Sequence, residues 1–462
     1  MSKTMTPKKL IISFILILMM KQINAQNYEA NWESLDARPV PEWFKDAKFG
    51  IFIHWGVYSV PSWAPTGELN VYAKYAEWYW KRLLTKDMEG HDQFLQHHLE
   101  TYGEDKMYQD FAPGFTAEMF NPEAWADLFE NAGAKYVVLT SKHHEGFTLW
   151  PSQESWNWNA VDIGPHRDLA GDLTAAVKAK DIHMGFYYSL YEWFNPQYHN
   201  NLDAYVEQHM IPQMKDLVVR YEPDIIWPDG EWDHPAEKWK SKEFLTWLYN
   251  DSPVKDQVVV NDRWGEATRG KHGGYYTTEY GLVHDESGLL DAQHPWEECR
   301  GIGGSFGYNR NENLNDYQTS QELVHLLVDI VAKGGNLLLN IGPTADGRIP
   351  VIMQQRLTDM GNWLKINGEA IYGSRPYEGA SDDENIVFTR SNGNVYAIAK
   401  TWPGSQLKLN NINARKISLV GSNQQSLSMK KSGSSLTIDL NQINHAELAS
   451  NYAYVFKLEG VK

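Results

Sequence analysis

The chain has a single cysteine, Cys299, in 462 residues, so no intrachain disulfide is possible and stability must come from a large core. Long apolar runs are equally scarce. The stretch from Leu10 to Met20 covers about 11 residues, too short to span a bilayer comfortably. Lys3, Lys8 and Lys9 precede it and Ile23-Asn24-Ala25 follows, the layout of a signal peptide cleaved after Ala25; a retained anchor or disordered tail is the alternative. Cleavage predicts a secreted or periplasmic protein with no stable membrane insertion. Positive charge is in deficit, with 42 Lys and Arg against 59 Asp and Glu. Removing the first 25 residues takes four Lys and no acid, moving the formal charge from −17 to −21. That sign argues against nucleic acid or an anionic membrane as a partner. There is no Gly-rich phosphate loop, no internal repeat and no His-x-x-x-His spacing.

Aromatic residues, by contrast, are plentiful. Nineteen Trp and twenty-five Tyr exceed what a plain core needs, and aromatic faces suit the apolar faces of sugars. From Phe49 onward, short apolar segments run into polar ends. Phe49 to Ile53 leads to His54-Trp55-Gly56, Lys135 to Thr140 to His143-His144-Glu145-Gly146, and Ile225 to Trp227 to Pro228-Asp229. Between such segments lie helical stretches at Pro122 to Asn131, Leu169 to Lys180, Leu202 to Arg220, Lys240 to Asn250, Gln318 to Lys333 and Ile352 to Lys365. Strands alternating with helices argue for a parallel sheet, and polar groups gathered at strand C-termini favour an α/β fold of the (β/α) TIM-barrel type. About six units are legible by pattern, so an imperfect barrel or a doubly wound sheet both remain open. After Pro376 the texture changes to short strands between Ser, Asn and Gly turns, which predicts an antiparallel β-sandwich over residues 377–462 behind a catalytic domain of residues 26–376. Bracing the barrel is the favoured role for the sandwich over binding glycan.

Two carboxylates stand out. Asp229, in Trp227-Pro228-Asp229-Gly230-Glu231-Trp232, ends an apolar strand and would project into a barrel mouth, although an Asp in a Pro-Gly turn is the bland reading. Glu297, in His294-Pro295-Trp296-Glu297-Glu298-Cys299, lies in a region of little periodicity, where desolvation beside Trp296 would let it hold a proton near neutral pH. Local sequence does not choose between Glu297, Glu298 and Glu279. A pair about 5 Å apart would serve a retaining glycosidase, a wider one an inverting enzyme. His54, His143 and His144, with Glu77, Asn261 and Arg263, would offer hydrogen bonds to sugar hydroxyls. A metal site from His143, His144 and Glu145 is disfavoured, since adjacent histidines in an extended segment point to opposite sides.

At these positions the chain resembles glycoside hydrolase family 29, the retaining α-L-fucosidases. The similarity runs in order through Phe49 to Gly56, Lys142 to Phe147 with Trp150-Pro151-Ser152, Trp227 to Trp232, Asn261 to Trp264 and Asn340 to Pro343, and covers about Trp43 to Tyr377. It implies a (β/α) barrel followed by a β-sandwich, and hydrolysis of terminal α-L-fucose from an oligosaccharide or glycoconjugate through a covalent fucosyl-enzyme, with no cofactor and no metal. Asp229 matches the nucleophile. Glu297, in a Trp-Glu-x-Cys pattern like that of the animal lysosomal members, matches the acid/base. The fucose-binding residues carry over to His54, Glu77, His143, His144, Trp227 and Arg263, with Tyr188 subject to a one-residue slip and Phe306 facing the C6 methyl. A retaining glycosidase for a related sugar such as galactose, or a non-catalytic glycan-binding protein, are the alternatives.

Overall fold

Strand parity divides the catalytic domain into two cores. In the computed structural model, which describes residues 27–461 apart from 194, 281–293, 379–382, 424–425, 445–447 and 449–450, eight parallel strands form one sheet. They are β1 (Phe49–Ile53), β2 (Tyr136–Lys142), β3 (His183–Ser189), β4 (Ile225–Asp229), β5 (Val259–Val260), β6 (Tyr276–Glu279), β7 (Trp296–Gly301) and β8 (Asn336–Ile341). Their order is β5-β4-β3-β2-β1-β8-β7-β6. Phe52, Val138, Tyr187, Trp227, Cys299 and Leu338 pack together in one core. Their neighbours Ile51, Ile53, Val137, Phe186, Tyr188 and Leu339 turn the other way and join the helices. Alternation with period two fixes which set faces the axis.

The sheet curls into a barrel that is not fully closed. β5 and β6 are not paired as strands, yet the backbone N–H of Tyr275 donates to the Val260 carbonyl across the seam at 3.1 Å. The expected barrel is therefore the fold, with β6 and β7 added to what pattern alone revealed. β7 reads Trp-Glu-Glu-Cys-Arg-Gly, and its charges are satisfied internally: Arg300 binds Glu298, and Glu297 accepts from Tyr136 and Trp227. A strand that buries polar groups on both faces shows no hydrophobic alternation to read.

The helices follow their end signals. Asn121 accepts from the Ala124 N–H and Pro122 opens the helix Pro122–Ala132. The stretch expected as one helix from Leu202 is instead Leu202–Tyr205, a π-helical turn Val206–Met210 and Ile211–Tyr221. Pro212 has no N–H to give to the preceding turn, which accounts for the irregularity just before it. The signal peptide expected over the first 25 residues lies outside the described residues.

The C-terminal strands make two antiparallel sheets, β13-β16-β11-β10-β9 and β12-β15-β14, numbered on from β9 (Arg375–Pro376) through β10 (Ile386–Ser391), β11 (Asn394–Ala399), β12 (Gln406–Leu409), β13 (Lys416–Leu419), β14 (Met429–Ser432) and β15 (Ser435–Asp439) to β16 (Tyr454–Glu459). The sandwich keeps its own core but also shares one with the barrel helices through Tyr396, Ile398, Ala453 and Val455. Trp363 donates its indole N–H to the Ala453 carbonyl at 2.9 Å and Lys400 pairs with Asp329 at 2.9 Å. These contacts brace the helices Ser320–Ala332 and Val351–Asn367, which flank β8.

Candidate active site

The C-terminal ends of the strands surround a cavity of about 360 Å³, within the usual range for a small-molecule site. His54, Glu77, His143, His144, Trp227, Asp229, Arg263 and Phe306 all line it, together with Tyr75, Trp78, Tyr187, Trp232, Arg269, Glu279 and Cys299. Asp229 is the last residue of β4, and Gly230 after it adopts φ +75°, with no room for a Cβ beside Tyr191. That turn aims the carboxylate into the cavity.

Asp229 is gripped on both oxygens. Arg263 Nη1 donates to Oδ1 at 2.6 Å and the Tyr187 hydroxyl donates to Oδ2 at 2.9 Å. Arg269 Nη2 lies 3.6 Å from Oδ1 and His144 Nε2 3.8 Å from Oδ2. Burial alone would raise this carboxyl, but the charges of Arg263 and Arg269, with the hydrogen bond from Arg263, overcome it and hold the group well below the usual carboxylate range. Arg263 also takes Thr277 through Nε and reaches Glu279 Oε2 with Nη2 at 3.5 Å. One guanidinium thus links two cavity carboxylates, Asp229 at the end of β4 and Glu279 at the end of β6.

The remaining contacts sort into hydrogen-bonding and apolar walls. Asn340 donates to the Phe306 carbonyl, so its Oδ1 accepts from His54 Nδ1 at 2.7 Å and leaves His54 Nε2 as an acceptor. Glu77 Oε2 takes the Gly307 N–H at 2.8 Å and the Ser305 hydroxyl at 3.2 Å. Phe306 stacks near His54 and meets Tyr75 and Phe52 edge-on, forming an aromatic corner. Trp78 and Trp232, whose centroids are 6.0 Å apart, line the cavity beside His144.

Three sequence expectations are corrected here. Glu297 has the right parity but the wrong depth. It pairs in register with Asn336, the first residue of β8, and its oxygens accept from Tyr136 Oη at 2.6 Å and Trp227 Nε1 at 2.8 Å. Fully buried beneath Trp227, one step below Cys299 on the same face, it is absent from the cavity wall. Burial raises it to about 7, with the bonds from Tyr136 and Trp227 opposing. Glu298 points outward to Thr278 and Arg300. Tyr188 also faces the helices, where its hydroxyl donates to Gln213, and Tyr187 reaches Asp229 instead. The register Tyr187↔Trp227 puts those two on one face, which settles the one-residue slip.

The two histidines are the third correction. They do not diverge along an extended segment. β2 ends at Lys142, and the Gly146 N–H closes a turn onto the His143 carbonyl, with Gly146 at φ +81°. Both rings then line the cavity, their centroids 4.2 Å apart. Arg269, which pattern reading missed, had no local signal. Glu279, left open there beside Glu297 and Glu298, lines the cavity as the closing acid of Tyr275-Tyr276-Thr277-Thr278-Glu279.

The buried acids make a testable stability profile. Burial raises Glu77, Glu297 and Glu312 to about 7 and Glu145 to about 8. Such a group keeps its proton in the folded chain after the unfolded chain has lost it, so stability falls as pH rises towards the folded value, by roughly 1.4 kcal/mol per group per pH unit. His54, His143 and His144, which burial lowers, oppose this below about pH 6.5, where the unfolded chain takes up protons that they refuse. Above that the raised carboxyls set the slope, opposed near pH 8 by Lys48, which burial lowers to about 8. Scanning calorimetry should therefore give a melting temperature that falls between about pH 6.5 and 8; a rise over that window would contradict the assignment of these protons.

Comparison with known proteins agrees with this geometry. Residues 15–369 match the α-L-fucosidase family and residues 381–459 the α-L-fucosidase C-terminal domain. Tissue α-L-fucosidase of Bos taurus is 44% identical over 447 residues, covering 94% of this chain and 92% of the relative. The α-L-fucosidase of Dictyostelium discoideum is 43% identical over 473 residues, covering 98% and 100%. Thermotoga maritima α-fucosidase in complex with fucose superposes with a TM-score of 0.78 at 37% identity, covering 93% of this chain and 100% of that one. With a barrel whose strand ends converge on Asp229 and a family match over most of its length, the chain belongs to the α-L-fucosidases of glycoside hydrolase family 29.

Proposed function

We infer that the cavity receives a terminal α-L-fucosyl residue, with Asp229 as nucleophile and Glu279 as acid/base. The enzyme is an exo-acting α-L-fucosidase that retains configuration. The observation that carries the reading is the linked pair: two carboxylates on one barrel mouth, Asp229 at 2.6 Å and Glu279 at 3.5 Å from the same Arg263 guanidinium, as a glycosidase that works with two acids requires. Asp229, held ionised by its cations, attacks the anomeric carbon while Glu279 gives a proton to the departing glycosidic oxygen. Water then attacks the fucosyl ester as Glu279 takes its proton, and Asp229 is released. Tyr75 donates to Glu279 Oε1 at 2.7 Å, leaving Oε2 near Arg263.

His54, His143, His144 and Glu77 supply the polar partners for ring hydroxyls, and the corner of Phe52, Tyr75 and Phe306 suits a methyl group. A galactoside would bring a hydroxyl to that corner and find no partner, which favours fucose. The pattern of residues 1–25 supports export to the periplasm or beyond; N-terminal sequencing of the mature protein should begin at Gln26, and retention of Met1 in a cytoplasmic fraction would overturn it.

The test of the reaction is time-resolved NMR of product anomers from an aryl α-L-fucoside. First release of α-fucose is expected. First release of β-fucose would remove Asp229 from the role of nucleophile, and release only from galactosides would overturn the sugar assignment.

A further inference from the structure

The segment Lys142-His143-His144-Glu145 leaves one acid that the proposed reaction does not use. Glu145 is 1% exposed and sits in the turn closed by Gly146, its backbone carbonyl held by the Trp158 indole N–H at 2.9 Å. Its Oε2 lies 3.4 Å from His143 Nδ1. Both atoms are fully buried, and neither has a closer hydrogen-bond partner among the described residues. Two orphaned polar atoms facing each other are costly unless one proton lies between them. Since Nδ1 faces Glu145, Nε2 is the nitrogen left to the cavity that His143 lines.

We propose that Glu145 is a positioning residue that donates its carboxyl proton to His143 Nδ1, so that His143 presents Nε2–H as a donor to a sugar hydroxyl. Neutral imidazole carries one N–H and one lone pair, and the partner of one nitrogen decides what the other offers. The opposite arrangement, Nδ1–H donating to a carboxylate, would bury a charge on Glu145 with no cation of its own. The nearest ammonium, Lys142, is committed to Glu192 at 3.0 Å, and Glu192 also faces His209 at 3.1 Å and the Tyr205 hydroxyl at 3.0 Å. Among the described residues, the hydroxyls of Tyr58 and Tyr108 also act on Glu145, and both stay neutral. Burial raises Glu145 to about 8, against the pull of Lys142, and lowers His143 to about 3, against the pull of Asp229. Both are thus uncharged at neutral pH. His54, by contrast, offers a lone pair to the cavity, so the two histidines present a donor and an acceptor to the same sugar. The identity of that ligand rests on the fucoside reading; the tautomer does not.

The test uses the full chain labelled with ¹⁵N-histidine, with His143 resonances assigned from their loss in His143→Asn. Two-bond ¹H–¹⁵N correlation at pH 6.5 should show His143 protonated at Nε2. Glu145→Gln, whose amide N–H can still donate to Nδ1, should keep that tautomer, whereas Glu145→Leu should lose the preference. In kinetics on an aryl α-L-fucoside, Glu145→Leu should raise KM about tenfold with a smaller change in kcat, and Glu145→Gln should recover most of the loss. Protonation at Nδ1 in the wild type, or an unchanged tautomer in Glu145→Leu, would overturn the proposal. Because the NMR readout needs no turnover, it separates a failure here from a failure of the fucosidase reading.

Discussion

Asp229→Gly is expected to lower kcat on an aryl α-L-fucoside by about 10⁴-fold or more, the scale of losing a nucleophile. The vacated space borders Tyr187 and Arg263, so a small anion such as azide can enter from the nucleophile's side. Turnover should then return in the presence of azide, with β-L-fucosyl azide as product. The fold should survive. Arg263 keeps Thr277 and Glu279 as partners and Arg269 keeps Glu231, so the cost should stay below the roughly 3–5 kcal/mol of a buried charge left alone. Full activity in a folded Asp229→Gly protein would remove Asp229 from the mechanism.

Glu279→Gln separates the two candidate acids. Kinetics on a poor leaving group, such as a fucosylated oligosaccharide, should fall by about 10²–10⁴-fold, with a much smaller loss on an activated aryl fucoside that needs no proton. Glu297→Gln should cost about tenfold at most on either substrate, because the amide still accepts from one of Tyr136 and Trp227 and the residue is not part of the cavity wall. The reverse ranking would restore Glu297 to the role that its sequence context suggests.

That contrast also marks how far the sequence reading reaches. Parity was legible wherever a strand is apolar: β1, β2 and β4 carry His54, the paired histidines and Asp229 out of clean hydrophobic segments, and all reach the cavity. Depth was not legible. Glu297 and Cys299 share a face of β7, and only the register with β8 tells which stands at the mouth. β7 itself was hidden because its acids find partners inside the protein, so burial leaves no apolar signature. Tyr187 and Tyr188 differ only in parity, which the neighbouring strand decides through Trp227. Arg269 belongs to no strand, and its pairing with Glu231 depends on two loops that the chain brings together from a distance of 38 residues. The sandwich was readable as a texture, but its docking on Trp363 and Asp329 was not.

In the proposed reaction Asp229 forms the covalent bond to the sugar. Incubation with 2-deoxy-2-fluoro-α-L-fucosyl fluoride slows release of the intermediate, and peptide mass spectrometry locates the attached sugar. A fluorofucosyl mass on the peptide containing Asp229, absent from Asp229→Gly, is the predicted result; the same mass on a peptide containing Glu77 or Glu279 would contradict the account.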